Sequence, residues 1–304
     1  MVEQMEKIGF IGLGTMGKWM ALNMMKAGYE LMVTDTSPEA VQFLADQGAA
    51  VAITPAEMAA QVDWIFLSVP DTGVVESVVL GKSGILDGAK EGLVVVDLST
   101  INYLATLEIE KKLKQKGVIF SDAPISGMET RAQEATLTVM FGGRKDTFEV
   151  VLPALEVIGN KIIYMGEIGC GQLTKLINQL LFNISAAGIA EVMPMAARLG
   201  LDPEKVTQVV TTGTGRSFAA EFFLPLALEN RFDQGYPLKS AYKDMISAAE
   251  ISAHEKIPLP MVQAATTTFQ MALANGLGSE SKGSLIKVFE KLLGAEFRKI
   301  EESE

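Results

Sequence analysis

Residues 7–20 read KIGFIGLGTMGKWM, and this stretch decides the fold of the first half of the chain. The apolar run KIGFI leads into Gly12-Leu13-Gly14-Thr15-Met16-Gly17, which matches GxGxxG and opens a helical pattern that extends to residue 26. A strand, a glycine loop and a helix in this order are typical of dinucleotide-binding sites. The first glycine permits a tight turn, the second lets a pyrophosphate approach the backbone, and the third lets helix and strand pack closely. We therefore predict that all six loop residues line a phosphate site at a helix N-terminus.

The end of the second strand predicts which coenzyme is bound. Asp35 stands 18 residues after Gly17. A carboxylate at this point accepts hydrogen bonds from both ribose hydroxyls of NAD and repels the 2′-phosphate of NADP. Thr36 and Ser37 follow it, and neither offers the positive charge that the phosphate would need. NAD is therefore expected to be favoured over NADP.

Strand-like and helical segments alternate through the first half of the chain. The candidate strands are 8–11, 30–34, 65–69, 94–97, 118–122, 137–141 and 162–164. Most are continuously apolar, which is typical of strands buried on both faces of a parallel sheet. Thr54-Pro55 and Ser37-Pro38 indicate helix starts between them. The alternation predicts an α/β Rossmann domain with a doubly wound, mostly parallel sheet over residues 1–165.

After residue 165 the pattern is helical. Apolar residues recur with a period of about 3.6 over residues 172–199, which predicts one long helix that ends at Gly200. Asp202-Pro203 indicates the next helix start, and more helices are predicted over 217–230, 238–256, 259–275 and 283–300. Residues 166–304 are therefore expected to form an all-α domain for substrate binding or oligomerisation, joined to the first domain by the long helix.

Charge and composition argue against several classes of partner. The 304 residues carry a net charge of -11, whereas binding to nucleic acid or to an anionic membrane requires a basic surface. We find no run of about 18 uninterrupted apolar residues, so no membrane span is predicted. The acidic start MVEQMEK is unlike a signal peptide, and the single cysteine cannot form an internal disulfide. A cytoplasmic protein that binds neither nucleic acid nor membrane is expected.

Two more strand ends are candidates for the cofactor site. Val69-Pro70 and Ser99-Thr100 each follow an apolar strand. Ligands of open α/β sheets bind beyond the carboxyl ends of the strands. Ordinary turn chemistry is the alternative explanation for both pairs.

Residues 169–179 read GCGQLTKLINQ and place Lys175 and Asn178 three residues apart on one helix face. A lysine can donate a proton to a carbonyl oxygen during reduction if burial and a neighbouring positive charge lower its pKa. From the spacing alone, a surface lysine is the favoured explanation of the pattern. The only histidine, His254, lies far from these motifs and is interpreted as structural.

Taken together, these motifs resemble those of the β-hydroxyacid dehydrogenases, a family that includes 3-hydroxyisobutyrate dehydrogenase and tartronate semialdehyde reductase. The resemblance covers essentially the whole chain, through GFIGLGTMG at 9–17, DAPISG at 122–127, GCGQLTKLINQ at 169–179 and LKSAYKD at 238–244. It implies a Rossmann domain followed by a helical domain, in a homodimer or homotetramer. It also implies reversible NAD(P)-dependent oxidation of a small 3-hydroxy acid to its semialdehyde or 3-oxo acid.

The resemblance further implies residue roles. Ser126 and Gly127 would bind the substrate carboxylate through a hydroxyl and a backbone N–H. Lys175 would be the general acid and base, and Asn178 would hold the substrate beside it. The matches near the cofactor are Ser99, Thr100 and Lys243.

The chain departs from the family pattern around Ser126-Gly127. Met128 and Ala135 stand where the family usually has glycine, and a methionine is strained if its position requires a positive φ. Arg131, in the same loop, would either read a second acidic group on the substrate or face water. The same alternatives hold for Arg216.

Three other functions share this architecture. A non-catalytic NAD(P)-binding module would keep the glycine loop but lose the lysine. An imine reductase usually carries Asp or Tyr in place of the lysine and lacks the DAPISG carboxylate site. A 6-phosphogluconate dehydrogenase has a much longer helical domain than this chain can supply.

Overall fold

The computed structural model describes residues 6–300. The chain divides into two compact units, the first ending at Lys175 and the second beginning at Leu176. Each unit is described by itself. The predicted division into a cofactor domain and a substrate domain at residue 165 stays a prediction.

One sheet forms the centre of the first unit. Its strands are β1 (Ile8–Ile11), β2 (Leu31–Thr34), β3 (Ala50–Val51), β4 (Trp64–Leu67), β5 (Val94–Asp97), β6 (Ile119–Asp122), β7 (Ile125–Ser126), β8 (Leu137–Gly142) and β9 (Gly159–Gly166). Their order is β3-β2-β1-β4-β5-β6-β8-β7, and β9 also pairs with β8. Strands β1 to β6 are parallel, as are β8 and β9, while β8 runs antiparallel to β6 and β7. The predicted Rossmann fold with a mostly parallel sheet is confirmed.

Helices connect these strands. They are α1 (Gly17–Lys26), α2 (Pro38–Ala45), α3 (Pro55–Gln61), α4 (Thr72–Leu80), α5 (Ile85–Gly88), α6 (Tyr103–Lys114), α7 (Met128–Gln133) and α8 (Lys145–Glu156). The predicted caps are present, since the side chain of Ser37 accepts a hydrogen bond from the N–H of Ala40 and that of Thr54 from the N–H of Glu57. Each bond satisfies a backbone donor that the first turn of a helix leaves without a partner.

The central strands of the sheet are buried on both faces. Along β4, Trp64 and Phe66 pack into one apolar cluster, while Ile65 and Leu67 pack into another. Because successive side chains of a strand point to opposite faces, the two clusters lie on the two sides of the sheet. Burial on both faces explains why these strands are continuously apolar.

The second unit is helical. The long helix α9 (Cys170–Arg198) begins in the first unit and is followed by α10 (Pro203–Thr212), α11 (Phe218–Leu228), α12 (Leu238–Glu255), α13 (Pro260–Ala274) and α14 (Ile286–Leu293), with short 3₁₀ turns at Leu277–Ser279 and Lys282–Leu285. Asp202 caps α10 by accepting hydrogen bonds from the N–H groups of Glu204 and Lys205. The predicted helical C-terminal region is confirmed, but the single helix expected over 283–300 is wrong, because left-handed Gly294 ends α14.

The apolar residues of α9 are not all buried, since Ile177 and Leu181 are 60% and 63% exposed. Within the described residues, α9 is the one helix long and apolar enough to cross a membrane by length and composition. A single helix of that kind is weak support for a span, since a core helix of a globular protein passes the same test.

Candidate active site

Five parallel strands end in one row at the same edge of the sheet. Their last residues, paired in register, are Thr34, Ile11, Leu67, Asp97 and Asp122. The segments that follow them therefore leave the sheet side by side. These segments contain the predicted cofactor residues Gly12–Gly17, Asp35, Val69, Pro70, Ser99 and Thr100.

The three glycines of the loop differ in the space around them. Gly12 has a φ of +92°, and a Cβ there would lie 2.2 Å from the carbonyl oxygen of Ser68. At Gly17 a Cβ would lie 1.9 Å from the carbonyl oxygen of Gly12. A Cβ at exposed Gly14 would meet no atom within 4 Å. The first and third glycines are therefore required by the fold, whereas Gly14 leaves open space over the backbone, which fits the pyrophosphate of NAD(P).

Asp35 is held against the glycine loop. One carboxylate oxygen accepts a hydrogen bond from the N–H of Leu13 at 2.6 Å, and the other accepts one from the N–H of Ser37 at 2.7 Å. An ionised carboxylate has about four acceptor positions, so acceptor capacity remains for ribose hydroxyls. The carboxylate thus lies beside the loop with its orientation fixed by the backbone.

The loops after β4 and β5 are bonded to each other. The N–H of Val69 donates to Oγ of Ser99 at 3.0 Å, and the N–H of Ser99 donates to Asp97 at 2.9 Å. Pro70 and Thr100 come directly after these two residues. The structure therefore brings both predicted strand ends together at the sheet edge.

Gln172, to which the sequence assigned no role, connects this edge to the first turn of α9. Its side chain is buried, with Nε2 donating to the carbonyl oxygen of Ser99 at 2.8 Å and Oε1 accepting from the N–H of Ile101 at 3.1 Å. The nitrogen and the oxygen of the Gln172 side-chain amide therefore both hold the loop that carries Thr100 to α9.

Asp122, the first residue of DAPISG, is hydrogen-bonded to the N-terminus of α9. Its fully buried carboxylate accepts hydrogen bonds from the N–H groups of Gly169 at 2.6 Å and Gln172 at 2.7 Å. Burial raises the pKa of Asp122 to about 6, and these N–H groups oppose the rise because they stabilise the charged form. Gly171 permits this close packing, since a Cβ there would lie 2.3 Å from the carbonyl oxygen of Met140.

Lys175 lies on α9 three residues beyond Gln172 and is only 7% exposed. That burial argues against the interpretation as an ordinary surface lysine. The role of Lys175 as general acid and base stays a prediction.

The predicted carboxylate site forms a corner between β7 and α7. Gly127 has a φ of +151°, and a Cβ there would lie 2.8 Å from Cβ of Arg131, so only glycine fits. Met128 and Ala135 have φ values of +63° and +55°. Both residues therefore have left-handed backbone. Since methionine was expected to be strained at a positive φ, the backbone of Met128 is strained here.

The two arginines left open by the sequence differ. Arg131 is exposed, and no ion pair or side-chain hydrogen bond of its guanidinium is found within residues 6–300. The guanidinium of Arg216 is hydrogen-bonded to Glu221. Arg131 is therefore available to an incoming anion, while Arg216 already has an acidic partner.

Two hydrogen bonds that the sequence did not predict join the corner to the helix of the glycine loop. Nε1 of Trp19 donates to Glu129 at 2.9 Å, and Nδ2 of Asn23 donates to the carbonyl oxygen of Ala132 at 2.9 Å. They connect α1 to α7 across about 110 residues of sequence. No local pattern could have indicated them.

The remaining predicted residues belong to the second unit. Asn178 is exposed and donates to Gln179 at 3.3 Å, and Gln179 donates to Asp244, the neighbour of Lys243 on α12, also at 3.3 Å. His254 is exposed and hydrogen-bonded to Glu255. The roles of Asn178 and Lys243 stay predictions.

Comparisons with known proteins agree with this architecture. Residues 7–166 match the NAD-binding domain family of 6-phosphogluconate dehydrogenase, and residues 169–289 match the NAD-binding family of NADP-dependent 3-hydroxyisobutyrate dehydrogenase. The chain is 37% identical to 2-(hydroxymethyl)glutarate dehydrogenase of Eubacterium barkeri, over 96% of this chain and 98% of the relative. It is 33% identical to the mitochondrial 3-hydroxyisobutyrate dehydrogenase of mouse, over 92% of this chain and 86% of the relative.

A solved structure extends the match to three dimensions. The 3-hydroxyisobutyrate dehydrogenase of Mycobacterium tuberculosis, studied with L-serine, superimposes with a TM-score of 0.84 at 28% identity, covering 93% of this chain and 99% of that one. Since these matches run the length of the chain and reproduce its two-part architecture, this protein belongs to the β-hydroxyacid dehydrogenases, a family of NAD(P)-binding oxidoreductases that act on hydroxy acids.

Proposed function

We propose that this protein is an NAD-dependent dehydrogenase or reductase that interconverts a small 3-hydroxy acid and its semialdehyde. The substrate would have the form HOCH₂–CH(R)–COO⁻. The acids named for the relatives, 3-hydroxyisobutyrate and 2-(hydroxymethyl)glutarate, share this core, as does the L-serine studied with the mycobacterial enzyme. They differ only in R.

One observation carries the proposal. The side chain of Gln172 hydrogen-bonds to the loop of Ser99, and the backbone N–H of Gln172 donates to the carboxylate of Asp122. These bonds fix the helical turn that precedes the buried Lys175 to the sheet edge where the glycine loop lies. A positioned amine beside a dinucleotide site is what proton-coupled hydride chemistry requires.

Each proposed residue has a separate task. When bound, the nicotinamide accepts or supplies hydride at the hydroxyl-bearing carbon. Lys175 takes the proton from the hydroxyl oxygen during oxidation and returns it during reduction. The hydroxyl of Ser126 and the N–H of Gly127 bind the carboxylate and so orient the substrate. Gly14 and the N-terminus of α1 receive the pyrophosphate.

The preference for NAD is supported by Asp35. Its carboxylate is fixed beside Leu13, where a 2′-phosphate would bring two like charges together. Thr36 supplies no compensating cation.

The substituent R is proposed to lie near Met128 and Arg131. Both side chains are exposed next to Gly127, and the guanidinium of Arg131 suits an acidic R. Exchange of Arg131 for Gln is expected to lower kcat/KM for a hydroxy diacid more than for 3-hydroxyisobutyrate. Equal losses on both acids would assign Arg131 no part in recognising R.

The central experiment replaces Lys175 by Ala. Because proton donation contributes about 10²–10⁴-fold to rate, kcat is expected to fall by that order while NAD affinity, measured by calorimetry, persists. A primary amine such as methylamine is expected to restore part of the activity. Lys205→Ala, an exposed lysine of α10, is the matched control.

Other outcomes discriminate between the functions. A Lys175→Ala enzyme with unchanged kcat would remove the proposed role of this lysine. Binding of NAD without turnover of any acid or semialdehyde in a panel would favour the non-catalytic module. Turnover of cyclic imines alone would favour an imine reductase. Cytoplasmic location and assembly as a homodimer or homotetramer remain predictions.

A further inference from the structure

The contact between α1 and α7 joins two sites that the proposed function uses separately. Helix α1 begins at Gly17, the last residue of the glycine loop, and α7 begins at Met128, directly after Gly127. The first site is proposed for the dinucleotide and the second for the substrate carboxylate. Any rigid connection between the two helices therefore connects the two ligands.

The connection is made at two levels, one helical turn apart. Trp19 bonds to Glu129, and Asn23, four residues further along α1, bonds to the carbonyl oxygen of Ala132, which is buried in the core. The second bond holds the C-terminal end of α7 to α1. The first holds the end of α7 that carries Gly127 and Met128.

The indole of Trp19 is itself fixed. Its ring meets the ring of Phe43 edge to face at a centroid distance of 6.3 Å, and the Nζ of Lys18 lies 4.8 Å above it. The same Nζ is 3.7 Å from the carboxylate of Glu129. Glu129 thus contacts two consecutive residues, Lys18 and Trp19, in the first turn after the glycine loop.

The backbone conformation of the corner at the start of α7 is not favoured by the residues that form it. Met128 adopts a φ that L-residues avoid, so α7 depends on contacts from outside to keep its first turn in place. Glu129 is the neighbour of Met128, and its bond to Trp19 is such a contact. Ordering of the glycine loop by a dinucleotide would therefore also order the corner.

We propose that Trp19 and Glu129 are positioning residues through which dinucleotide binding orders the Ser126–Gly127 corner and raises its affinity for the substrate carboxylate. The inference rests on the proposed function, because it takes the two ligands from it. It predicts that the dinucleotide strengthens acid binding even without contact between nicotinamide and acid.

Hydrogen exchange with ADP-ribose tests the coupling, because this ligand fills the phosphate and ribose sites but has no nicotinamide. In the wild type, ADP-ribose is expected to slow amide exchange in residues 12–18 and also, by about fivefold or more, in residues 127–133. Trp19→Phe and Glu129→Leu are expected to keep the first protection and lose the second. Glu129→Gln, whose amide oxygen still accepts the indole N–H, is expected to keep both.

Trp64→Phe is the matched control, since Trp64 lies in β4 and the change also removes an indole. It is expected to behave as the wild type. Protection of 12–18 without protection of 127–133 in the wild type would overturn the coupling and leave the proposed function intact. So would equal protection of 127–133 in Trp19→Phe. If ADP-ribose protects neither segment, the dinucleotide site and the coupling are both wrong.

Discussion

The carboxylate of Asp122 accepts a hydrogen bond from the backbone N–H of Gln172 at 2.7 Å, while the side chain of Gln172 bonds to the loop after β5. Strand β6, that loop and the first turn of α9 are therefore joined through one residue. Lys175 follows within the same stretch of helix. A substitution of Asp122 or Gln172 is therefore expected to shift both the proposed proton donor, Lys175, and the loop after β5.

The buried carboxylate of Asp122 makes stability depend on pH. Its pKa is raised to about 6 by burial, so the folded state holds the proton more tightly than the unfolded state between about pH 4 and pH 6. The free energy of unfolding therefore falls as pH rises through this window. From well below pH 4 to well above pH 6 the full effect is about 3 kcal/mol, and between pH 5 and pH 7.5 it is about 1 kcal/mol.

Urea denaturation of wild type and Asp122→Asn at pH 5 and pH 7.5 measures this effect, with urea keeping the chain dissolved near its pI of about 4.8. The wild type is expected to lose stability relative to the variant as pH rises. Asp202→Asn is the control, because the pKa of Asp202 is lowered by hydrogen bonds from Lys205 and Glu204, so that its contribution is constant over this range. A stability difference between wild type and Asp122→Asn that does not change with pH would contradict the assignment.

Gln172→Glu keeps the shape of the side chain but replaces its donor. A carboxylate oxygen would then face the carbonyl oxygen of Ser99 in a buried position, which is expected to cost about 3 kcal/mol at neutral pH. At low pH the protonated carboxyl can donate again, so the loss should shrink. The same change at exposed Gln263 should alter stability by less than about 0.5 kcal/mol. A variant as stable as wild type at pH 8 would show that the Ser99 contact contributes little.

Gly14 and Gly17 are expected to respond oppositely to the same substitution. Gly17→Ala places a Cβ against the carbonyl oxygen of Gly12 and should destabilise the fold by about 1–3 kcal/mol. Gly14→Ala meets open space and should leave stability within about 0.5 kcal/mol. The new methyl group would occupy the pyrophosphate position, however, so NAD affinity should fall at least about tenfold, or 1.4 kcal/mol. Thermal melts and calorimetric titration separate the two effects, and unchanged NAD affinity in Gly14→Ala would remove this loop from the cofactor site.

Coenzyme preference is expected to follow the charge at residues 35 and 36. Asp35→Ser combined with Thr36→Arg removes the repelling carboxylate and adds a cation, so the ratio of kcat/KM for NADP to that for NAD should rise at least about tenfold. Thr36→Arg alone, which retains Asp35, should change the ratio much less. If the double variant keeps the wild-type ratio, Asp35 does not select the coenzyme. A modest loss of stability is expected in any case, because Leu13 loses its acceptor.

Met128→Gly tests the backbone at the substrate corner. Glycine tolerates the φ of +63°, so stability should hold or rise by up to about 1 kcal/mol. Met128→Ala retains a Cβ and should gain nothing. Urea denaturation compares the two, and kcat/KM on acids with different R groups reports what the thioether contributes to substrate choice. Equal stability of the two variants would contradict the strain at this residue.

The parts of the molecule predictable from sequence are those encoded by neighbouring residues. β1 and β5 have the predicted bounds because continuous apolar runs end at a glycine and at an aspartate. The positive φ of Gly12 follows from a motif of six residues. Strand β3 was not predicted, because its two exposed residues are too short a segment to be recognised within the apolar run 49–53. The last predicted helix ran past Gly294 because the apolar period continued beyond a residue that can end a helix.

The contacts that position the candidate site were not predictable in this way. Asp122 and Gln172 are 50 residues apart, and Trp19 and Glu129 are 110 apart. Hydrogen bonds of this range depend on strand order and register, which a single sequence does not determine. The resemblance to a family supplied candidate roles for Lys175 and Ser126 but not the side chains that hold them.

The left-handed residues at the start of α7 and two residues beyond its end also affect how the chain folds. Neither Met128 nor Ala135 would choose its backbone conformation in an isolated peptide. The short helix between them can therefore persist only after α1 and the sheet have docked. The substrate corner is thus expected to be among the last parts of the first unit to assemble during folding and among the first to open when the protein unfolds.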